Sequence, residues 1–257
     1  MKFCIFGTCA GTEPKPGRHH TSFALETGDR VYFFDAGENC SYTAHLMGVD
    51  LLCVKDIFIS HTHMDHVGGL TNLLWNIRKL THVRRPFPEK ELRVHLPCLE
   101  TGEGIMKILR NSEGGYACDY ETKFLPVEDG VLLDDGYLKV TAMHNRHLGD
   151  EPTDGRWLAY SYRMDFEGKS AVFSGDVKKF DELFPLIDET NRVVLMETGH
   201  HDPLVVCRQA NEQGISRLYF LHHGRQILKD AEGTLAEAER IFHGDVRFLN
   251  DGDVFEI

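Results

Sequence analysis

Short apolar runs with turn residues on either side predict β-strands along most of the chain. Runs of about four to eight residues bounded by Gly, Asp or Thr are typical of strands. In the first half the pattern predicts strands at residues 2–6, 22–26, 31–34, 57–60 and 92–96. In the second half it predicts strands at residues 138–143, 157–164, 170–173, 193–196, 218–221 and 253–257.

Apolar residues three or four positions apart predict helices between these strands. The predicted helices are residues 70–80, 104–110, 203–213 and 234–243. Asp202 followed by Pro203 is typical of an N-cap and first helical residue, and Thr234 with Glu237 matches a capping box. Within residues 81–135, where we expect substrate-specific insertions, the pattern is weaker. Strands followed by helices in each half predict one α/β domain, residues 1–257, with four αββα layers.

The composition is that of an acidic globular protein. Its 257 residues include 28 Lys and Arg against 40 Asp and Glu, which gives a formal net charge of −12. This charge repels phosphates and argues against nucleic acid as a partner. No apolar run approaches the roughly 20 residues of a membrane-spanning helix, and the first residues lack the apolar core of a secretory signal. We therefore expect a cytoplasmic protein with no membrane contact, whose scattered cysteines are reduced.

Three histidines and an aspartate follow directly on the strand predicted at residues 57–60. They are His61, His63, Asp65 and His66, in the order H-x-H-x-D-H. Alternation along an extended turn places His61 and His63 on the same side, where two neutral imidazoles can bind one ion. Asp65 and His66 then face a neighbouring ion. The segment therefore predicts a centre for two metals.

Further ligands are expected at the ends of later strands, where open α/β sheets carry their sites. One histidine after the strand at residues 138–143 completes the ligands of the first ion; we favour His147, with His144 as the alternative. Asp176 can bridge both ions with its two carboxylate oxygens. His222 completes the ligands of the second ion, and His223 is expected to line the pocket.

In this order the motifs resemble those of the metallo-β-lactamase fold hydrolases. The matching features are Asp35 after an early strand, the H-x-H-x-D-H segment, a later histidine, a bridging aspartate and a final histidine. The resemblance implies one metal held by His61, His63 and His147, another held by Asp65, His66 and His222, and Asp176 between them. It also implies that Asp35 orients the histidine segment through hydrogen bonds. Zn is the expected metal, with Mn and Fe as alternatives that the same ligands suit.

Looser motifs are similar to the branch that holds ribonuclease Z and small cyclic-phosphate phosphodiesterases. They include Gly7, Thr8 and Arg18 near the start, and residues 160–163 ahead of Asp176. This similarity implies a binuclear metal-dependent hydrolase of a small, cyclic or nucleotide-like phosphodiester, acting through a metal-bridging hydroxide. The acidic segment 149–156 favours a small anionic substrate over tRNA.

Acid and base roles are expected on residues beside the metals. Asp65 would orient the nucleophile or hold its proton. Departure of an alkoxide needs a general acid, for which we favour His201 and then His200, after the strand at residues 193–196. Candidates for holding substrate anions are Arg163, Arg225, Arg84 and Arg85.

Other activities are alternatives on the same residues. An ester, thioester or lactone hydrolase of the same fold would use the same metals. A tRNA 3′-processing endonuclease and a non-catalytic metal-binding protein are further alternatives, because a fold does not determine a function. The oligomeric state is left open, with a homodimer as one alternative.

Overall fold

Two seven-stranded β-sheets form the centre of the protein in a computed structural model that describes residues 1–257, the side chain of Glu113 excepted. The first sheet contains β1 (Lys2–Gly7), β2 (Ser22–Thr27), β3 (Arg30–Phe34), β4 (Val54–Phe58), β5 (Glu91–Leu96) and β6 (Glu121–Pro126). The second contains β7 (Gly130–Asp134), β8 (Lys139–His144), β9 (Tyr160–Phe166), β10 (Lys169–Phe173), β11 (Asn191–Thr198), β12 (Arg217–His223) and β13 (Asp245–Phe248). The last strand, β14 (Val254–Glu256), returns to the first sheet beside β1.

Each sheet combines antiparallel and parallel pairings. The first has the order β14-β1-β2-β3-β4-β5-β6, with parallel pairs from β3 to β6. The second has the order β13-β12-β11-β10-β9-β8-β7, with parallel pairs from β10 to β13. Parallel strands need crossover connections, which helices supply here.

The helices cover the outer faces of both sheets. They are α1 (Cys40–Leu46), α2 (Met64–Val67), α3 (Leu70–Val83), α4 (Leu99–Arg110), α5 (Pro203–Glu212), α6 (Arg225–Leu228) and α7 (Ala231–Ile241). Apolar residues of α1, α3 and α4 pack on the first sheet, and those of α5 and α7 pack on the second. Among the described residues, no helix is long and apolar enough to cross a membrane.

A third apolar core lies between the two sheets. Because side chains alternate along a strand, Phe3 and Ile5 of β1 point into this core while Cys4 and Phe6 point to the helices. The ring of Phe23 in the first sheet meets that of Phe173 in the second, with centroids 5.0 Å apart. The predicted αββα sandwich is therefore confirmed.

The helix ends match the sequence prediction in one case and differ in another. Asp202 is the N-cap of α5, its side chain accepts a hydrogen bond from Leu204 N, and Pro203 is the first helical residue. The predicted capping box at Thr234 is wrong, because α7 begins three residues earlier. Asp230 supplies the N-cap instead, and its carboxylate accepts a hydrogen bond from Gly233 N.

Candidate metal centre

The candidate ligands lie at one end of the sandwich because the strands that carry them end there. Two antiparallel pairings lead from β8 to β10, and parallel pairings continue to β12, so β8, β10 and β12 run in the same direction. Their carboxyl ends carry His147, Asp176 and His222. In the other sheet, the segment after β4 carries His61. The Ser60 carbonyl in this segment accepts a hydrogen bond from Tyr160 N, which joins the two sheets at this end.

The first metal group consists of four side chains whose ligand atoms lie within 4.8 Å of one another: His61, His63, His147 and Asp176. His147 Nε2 lies 3.4 Å from His63 Nδ1. Asp176 Oδ2 lies 3.8 Å from His61 Nε2 and 3.6 Å from His147 Nε2. Three imidazoles and a carboxylate oxygen are a donor set that zinc accepts.

The second metal group consists of Asp65, His66 and His222, whose ligand atoms lie equally close together. Asp65 Oδ2 lies 3.1 Å from His222 Nε2 and 3.5 Å from His66 Nε2. Asp176 Oδ1 lies 3.3 Å from His66 Nε2 and 3.4 Å from His222 Nε2. The two oxygens of Asp176 therefore face different metal groups, as a bridging carboxylate requires.

Buried polar atoms without hydrogen-bond partners indicate that metals fit this site. In the described part of the chain, His61 Nε2, His66 Nε2 and Asp176 Oδ1 are buried and make no hydrogen bond. A buried polar group without a partner costs about 1–3 kcal/mol, so such atoms are rare unless a ligand satisfies them. All three point into the metal groups. The residues present therefore fit two divalent ions.

Burial and neighbouring charges prepare these ligands for metals. Burial lowers the pKa of His61 well below its ordinary value and lowers that of His147 to about 4, so both rings are neutral near pH 7. Burial opposes ionisation of Asp176, but the positive charges of His222 and His66 outweigh it and hold its pKa well below the usual range. Neutral imidazoles and an ionised carboxylate are the forms that bind metals. Burial lowers the pKa values of His66 and His222, but the charge of Asp176 outweighs it and raises both, so these two rings must lose a proton when a metal binds.

Asp35 supports the histidine segment from below. Its carboxylate is fully buried and accepts three hydrogen bonds: from Ser60 N at 2.6 Å, from Ser60 Oγ at 2.8 Å and from His66 Nδ1 at 2.6 Å. The bond from Nδ1 fixes the tautomer of His66 and leaves Nε2 free for a metal. Asp35 therefore has the orienting contacts that the sequence predicted.

Glu197 lies beside the metal centre, near the end of β11. It is fully buried, and its carboxylate accepts hydrogen bonds from His200 N at 2.9 Å and His200 Nδ1 at 3.2 Å. The carboxylate also approaches two other ring nitrogens, His201 Nε2 at 3.4 Å and His222 Nδ1 at 3.6 Å. The hydrogen bond to the Glu197 carboxylate favours the protonated ring and raises the pKa of His200. Glu197 is not among the site residues that the sequence predicts.

The structure distinguishes the two pairs of histidines between which the sequence left a choice, His147 and His144 as metal ligand and His201 and His200 as general acid. His144 lies outside both metal groups: its Nδ1 contacts the Asp129 carboxylate at 2.6 Å, and its ring stacks on Trp157. His200 lines the cavity above the metal groups. His201, the favoured general acid, is turned away, with Nε2 bonded to the Val177 carbonyl at 2.9 Å.

Two further expectations about the pocket are wrong. His223 does not line it: its buried ring bonds to the Leu249 carbonyl and the Thr198 hydroxyl instead. Arg163 lies far from the centre, since it pairs with Asp165 and Asp188 at the amino end of β10. The β11–β12 pairing shifts register after Glu197, which periodicity does not reveal, and this accounts for the orientation of His223.

The other three arginines expected to hold substrate anions lie in different parts of the molecule. Arg84 and Arg85 pair with Asp50, ahead of β4 and away from the centre. Arg225 does line the cavity, and its guanidinium pairs with Glu13.

An open cavity of about 590 Å³ gives access to both metal groups. Its walls include Gly11, Thr12, Met64, Arg225 and Gln226, and its floor includes Asp65 and Asp176. Gly11 packs on Asp65 so closely that a Cβ there would lie 3.1 Å from Oδ2. The cavity therefore opens directly onto Asp65 and Asp176.

Comparison with curated proteins finds ribonucleases. The chain is 24% identical to ribonuclease Z of Picrophilus torridus over 294 residues, which cover 95% of this chain and 92% of that protein. It is 33% identical to ribonuclease Z of Methanocaldococcus jannaschii over 112 residues, which cover 44% of this chain but only 32% of that protein. The similarity to the second protein is thus confined to a part of each chain. These relatives are ribonucleases by name, so the expectation that nucleic acid is an unlikely partner is not supported.

Comparison with solved structures finds the same fold over the whole chain. The metallo-β-lactamase fold protein YhfI from Bacillus subtilis superposes with a TM-score of 0.75, at 19% identity and 99% coverage of both chains. The short form of human tRNase Z superposes with a TM-score of 0.72, at 17% identity, covering 100% of this chain and 99% of that one. A diphosphatase of the PhnP family has a TM-score of 0.67, at 13% identity, covering 100% and 97%.

A family model adds the most specific match. The model described as "Anti-Pycsar protein Apyc1" matches residues 1–234 and includes every candidate metal ligand. The two metal groups lie at the carboxyl ends of strands in this fold. The chain therefore belongs to the family of the anti-Pycsar protein Apyc1 and is a metal-dependent hydrolase of the metallo-β-lactamase fold.

Proposed function

We propose that this protein is a binuclear phosphodiesterase that hydrolyses a small, cyclic or nucleotide-like phosphodiester. The observation that carries the proposal is Asp176, whose oxygens face two separate metal groups at the floor of an open cavity. Paired metals about 3.5–4 Å apart are typical of enzymes that cleave phosphate esters. The similarity to ribonucleases and to a diphosphatase of the same fold supports phosphorus as the centre attacked.

Two divalent ions, for which we propose zinc with Mn and Fe as alternatives, would supply an activated water and polarise the phosphoryl group. Asp65 contributes a carboxylate oxygen beside the second metal group, where it can accept the proton of the attacking water. Asp176 fixes the spacing of the two metal groups, because each of its two carboxylate oxygens faces one of them. His66 is held in place by Asp35 beneath the floor.

We assign the general acid to His200 and not to His201, which the sequence favoured. Its ring is half exposed in the cavity, and Glu197 accepts the hydrogen bond from Nδ1. The negative charge of Glu197 stabilises the protonated ring, so that Nε2 can give a proton to the departing alkoxide. His201 has no free proton to offer at Nε2, which is already bonded to the Val177 carbonyl.

The segment after His147 favours small substrates over long RNA. Residues 149–156 are exposed and contain three acidic residues, and Asp150 bonds to Lys178, two residues after the bridging Asp176. A hairpin between Thr153 and Arg156 closes the segment. An RNA chain that extended past the first metal group would meet this negative charge. RNA cleavage is the second candidate function, because the curated relatives are ribonucleases.

The test compares substrates on protein reconstituted with Zn or with Mn. The substrates are bis(p-nitrophenyl) phosphate, 3′,5′-cyclic mononucleotides, a precursor tRNA, a thioester and a lactone. We expect turnover of the cyclic nucleotides and its loss in Asp176→Asn. Asp188→Asn, an exposed aspartate paired with Arg163 at the opposite end, is the matched control and should retain activity. Turnover of only the thioester or lactone by protein with two bound metals would overturn the proposal.

A further inference from the structure

His222 has a strained backbone at the point where it enters the metal centre. Its φ is +53°, in the left-handed region that non-glycine residues rarely adopt. The pairing of β11 with β12 shifts register here: Glu197 pairs with Leu221, whereas Thr198 pairs with His223. His222 is therefore the extra residue of a β-bulge. Bulges beside active sites re-aim side chains.

Without the bulge, His222 would point away from the metals. Along β12, Tyr219 and Leu221 face the core between the sheets, whereas Leu218 and Phe220 face the helices. Strict alternation would turn His222 to the helix side. The bulge brings its Nε2 instead to 3.1 Å from Asp65 Oδ2. Strain of this kind persists only where the surrounding structure imposes it.

His223, the next residue, is held on every side. Its backbone N donates to the Thr8 carbonyl at 2.6 Å, and its carbonyl accepts from Ala10 N at 3.1 Å. Its ring is 1% exposed, with Nε2 bonded to the Leu249 carbonyl at 3.0 Å and Nδ1 bonded to Thr198 Oγ1 at 2.9 Å. Because a carbonyl only accepts, Nε2 carries the proton, and Nδ1 can accept from the hydroxyl.

The Leu249 carbonyl is itself fixed by the rest of the fold. Leu249 N donates to the Phe220 carbonyl at 2.8 Å, and Arg18 donates to the Leu249 carbonyl at 3.0 Å. Two residues later, Asp251 accepts hydrogen bonds from Thr8 Oγ1 at 2.7 Å and His19 N at 2.5 Å. Residues 249–251 lie outside residues 1–234, which the family model matches.

We propose that His223 is a positioning residue for the second metal group: anchored to Thr198 and to the Leu249 carbonyl, it holds the bulge that aims His222 at the metal. Gly199 completes the arrangement, because a Cβ there would lie 2.6 Å from His222 Nδ1. The segment 249–251 is therefore part of the support of the metal centre. The inference rests on the metal centre and not on the identity of the substrate.

The test measures zinc affinity, with no substrate present. Purified full-length protein is titrated with chelator-buffered zinc, and native mass spectrometry counts the bound ions. His223→Phe keeps a buried ring but removes both of its hydrogen bonds. We expect it to bind the first zinc normally and to need about 10–100-fold more free zinc for the second, the usual effect of losing a residue that orients a ligand. His223→Gln, which can still donate to the Leu249 carbonyl, should recover part of the affinity.

Two controls keep structural damage apart from positioning. His95→Phe replaces another buried histidine, one that bonds to Asp56 in the first sheet. It should lower the melting temperature and leave both zinc affinities unchanged. Thr198→Val removes the hydroxyl that bonds to His223 Nδ1 and that also contacts the Leu221 carbonyl, ahead of the bulge, at 3.4 Å. It should weaken the second zinc several-fold even if His223→Phe fails to fold. Wild-type affinity for both ions in His223→Phe, or in Thr198→Val where the first variant does not fold, would overturn the proposal.

Discussion

Replacing Asp35 by asparagine should separate support of the metal centre from stability in general. Asp35 is fully buried and accepts three hydrogen bonds, two from Ser60 and one from His66. Asparagine keeps one acceptor oxygen for Ser60 N but presents an amide NH2 in place of Oδ2, the oxygen that accepts from both Ser60 Oγ and His66 Nδ1. Each hydrogen bond to a charged group contributes about 1.5–3 kcal/mol, so we expect a loss of roughly 3 kcal/mol in the free energy of unfolding.

The metal should be affected through His66. With its Nδ1 partner lost, the His66 ring is no longer held with Nε2 toward Asp176, and affinity for the second metal should fall about 10–100-fold. Denaturant unfolding measures the first effect, and chelator-buffered zinc titration measures the second.

Asp56→Asn is the matched control for this variant. Asp56 is equally buried, lies in the neighbouring part of the same sheet and also accepts three hydrogen bonds, two from Arg93 and one from His95. It should cost a similar amount of stability and leave zinc binding unchanged. The reasoning is refuted if Asp35→Asn binds both ions like the wild type, or if Asp56→Asn loses zinc to the same extent.

Further predictions concern metal, pH and cooperativity. His147→Ala should lose one of two bound metals while His144→Ala keeps both, measured by metal analysis. Chelation should lower the melting temperature, since a metal at 100 times its Kd stabilises by about 2.7 kcal/mol. Burial opposes ionisation of Asp56, but His95 and Arg93 outweigh it and lower its pKa, so its stabilisation is present above about pH 4 and lost in more acid solution. In denaturant titrations at several pH values, the free energy of unfolding of Asp56→Asn should fall less steeply than that of the wild type below about pH 4. One domain over residues 1–257 predicts a single unfolding transition in calorimetry.

The order of strands and helices could be predicted because apolar residues cluster or alternate along a strand but recur every three or four positions along a helix. Each predicted strand lies within about three residues of an observed one, and the observed α3 extends the helix predicted at residues 70–80. Elements without a strong apolar pattern were not predicted. In α1 only Cys40, Ser41 and Ala44 are buried, and β6 is a half-exposed edge strand. Small or polar residues at these positions give no periodic signal.

The metal ligands could be predicted from motif order, whereas the roles of adjacent histidines could not. His200 and His201 follow one another after β11, and only the placement of the Val177 carbonyl and Glu197 decides which ring faces the cavity. His223 was expected in the pocket because alternation does not foresee a bulge. Its partners, Thr198 and Leu249, are distant in sequence and meet it only in the folded chain.

The most direct test of the account is hydrolysis of a 3′,5′-cyclic mononucleotide in ¹⁸O-labelled water by protein shown to hold two metals. The account predicts a nucleoside monophosphate with one ¹⁸O on phosphorus, because the attacking water adds to the phosphoryl group, and no product from Asp176→Asn. Absence of turnover by the two-metal protein, or equal turnover by Asp176→Asn, would contradict it.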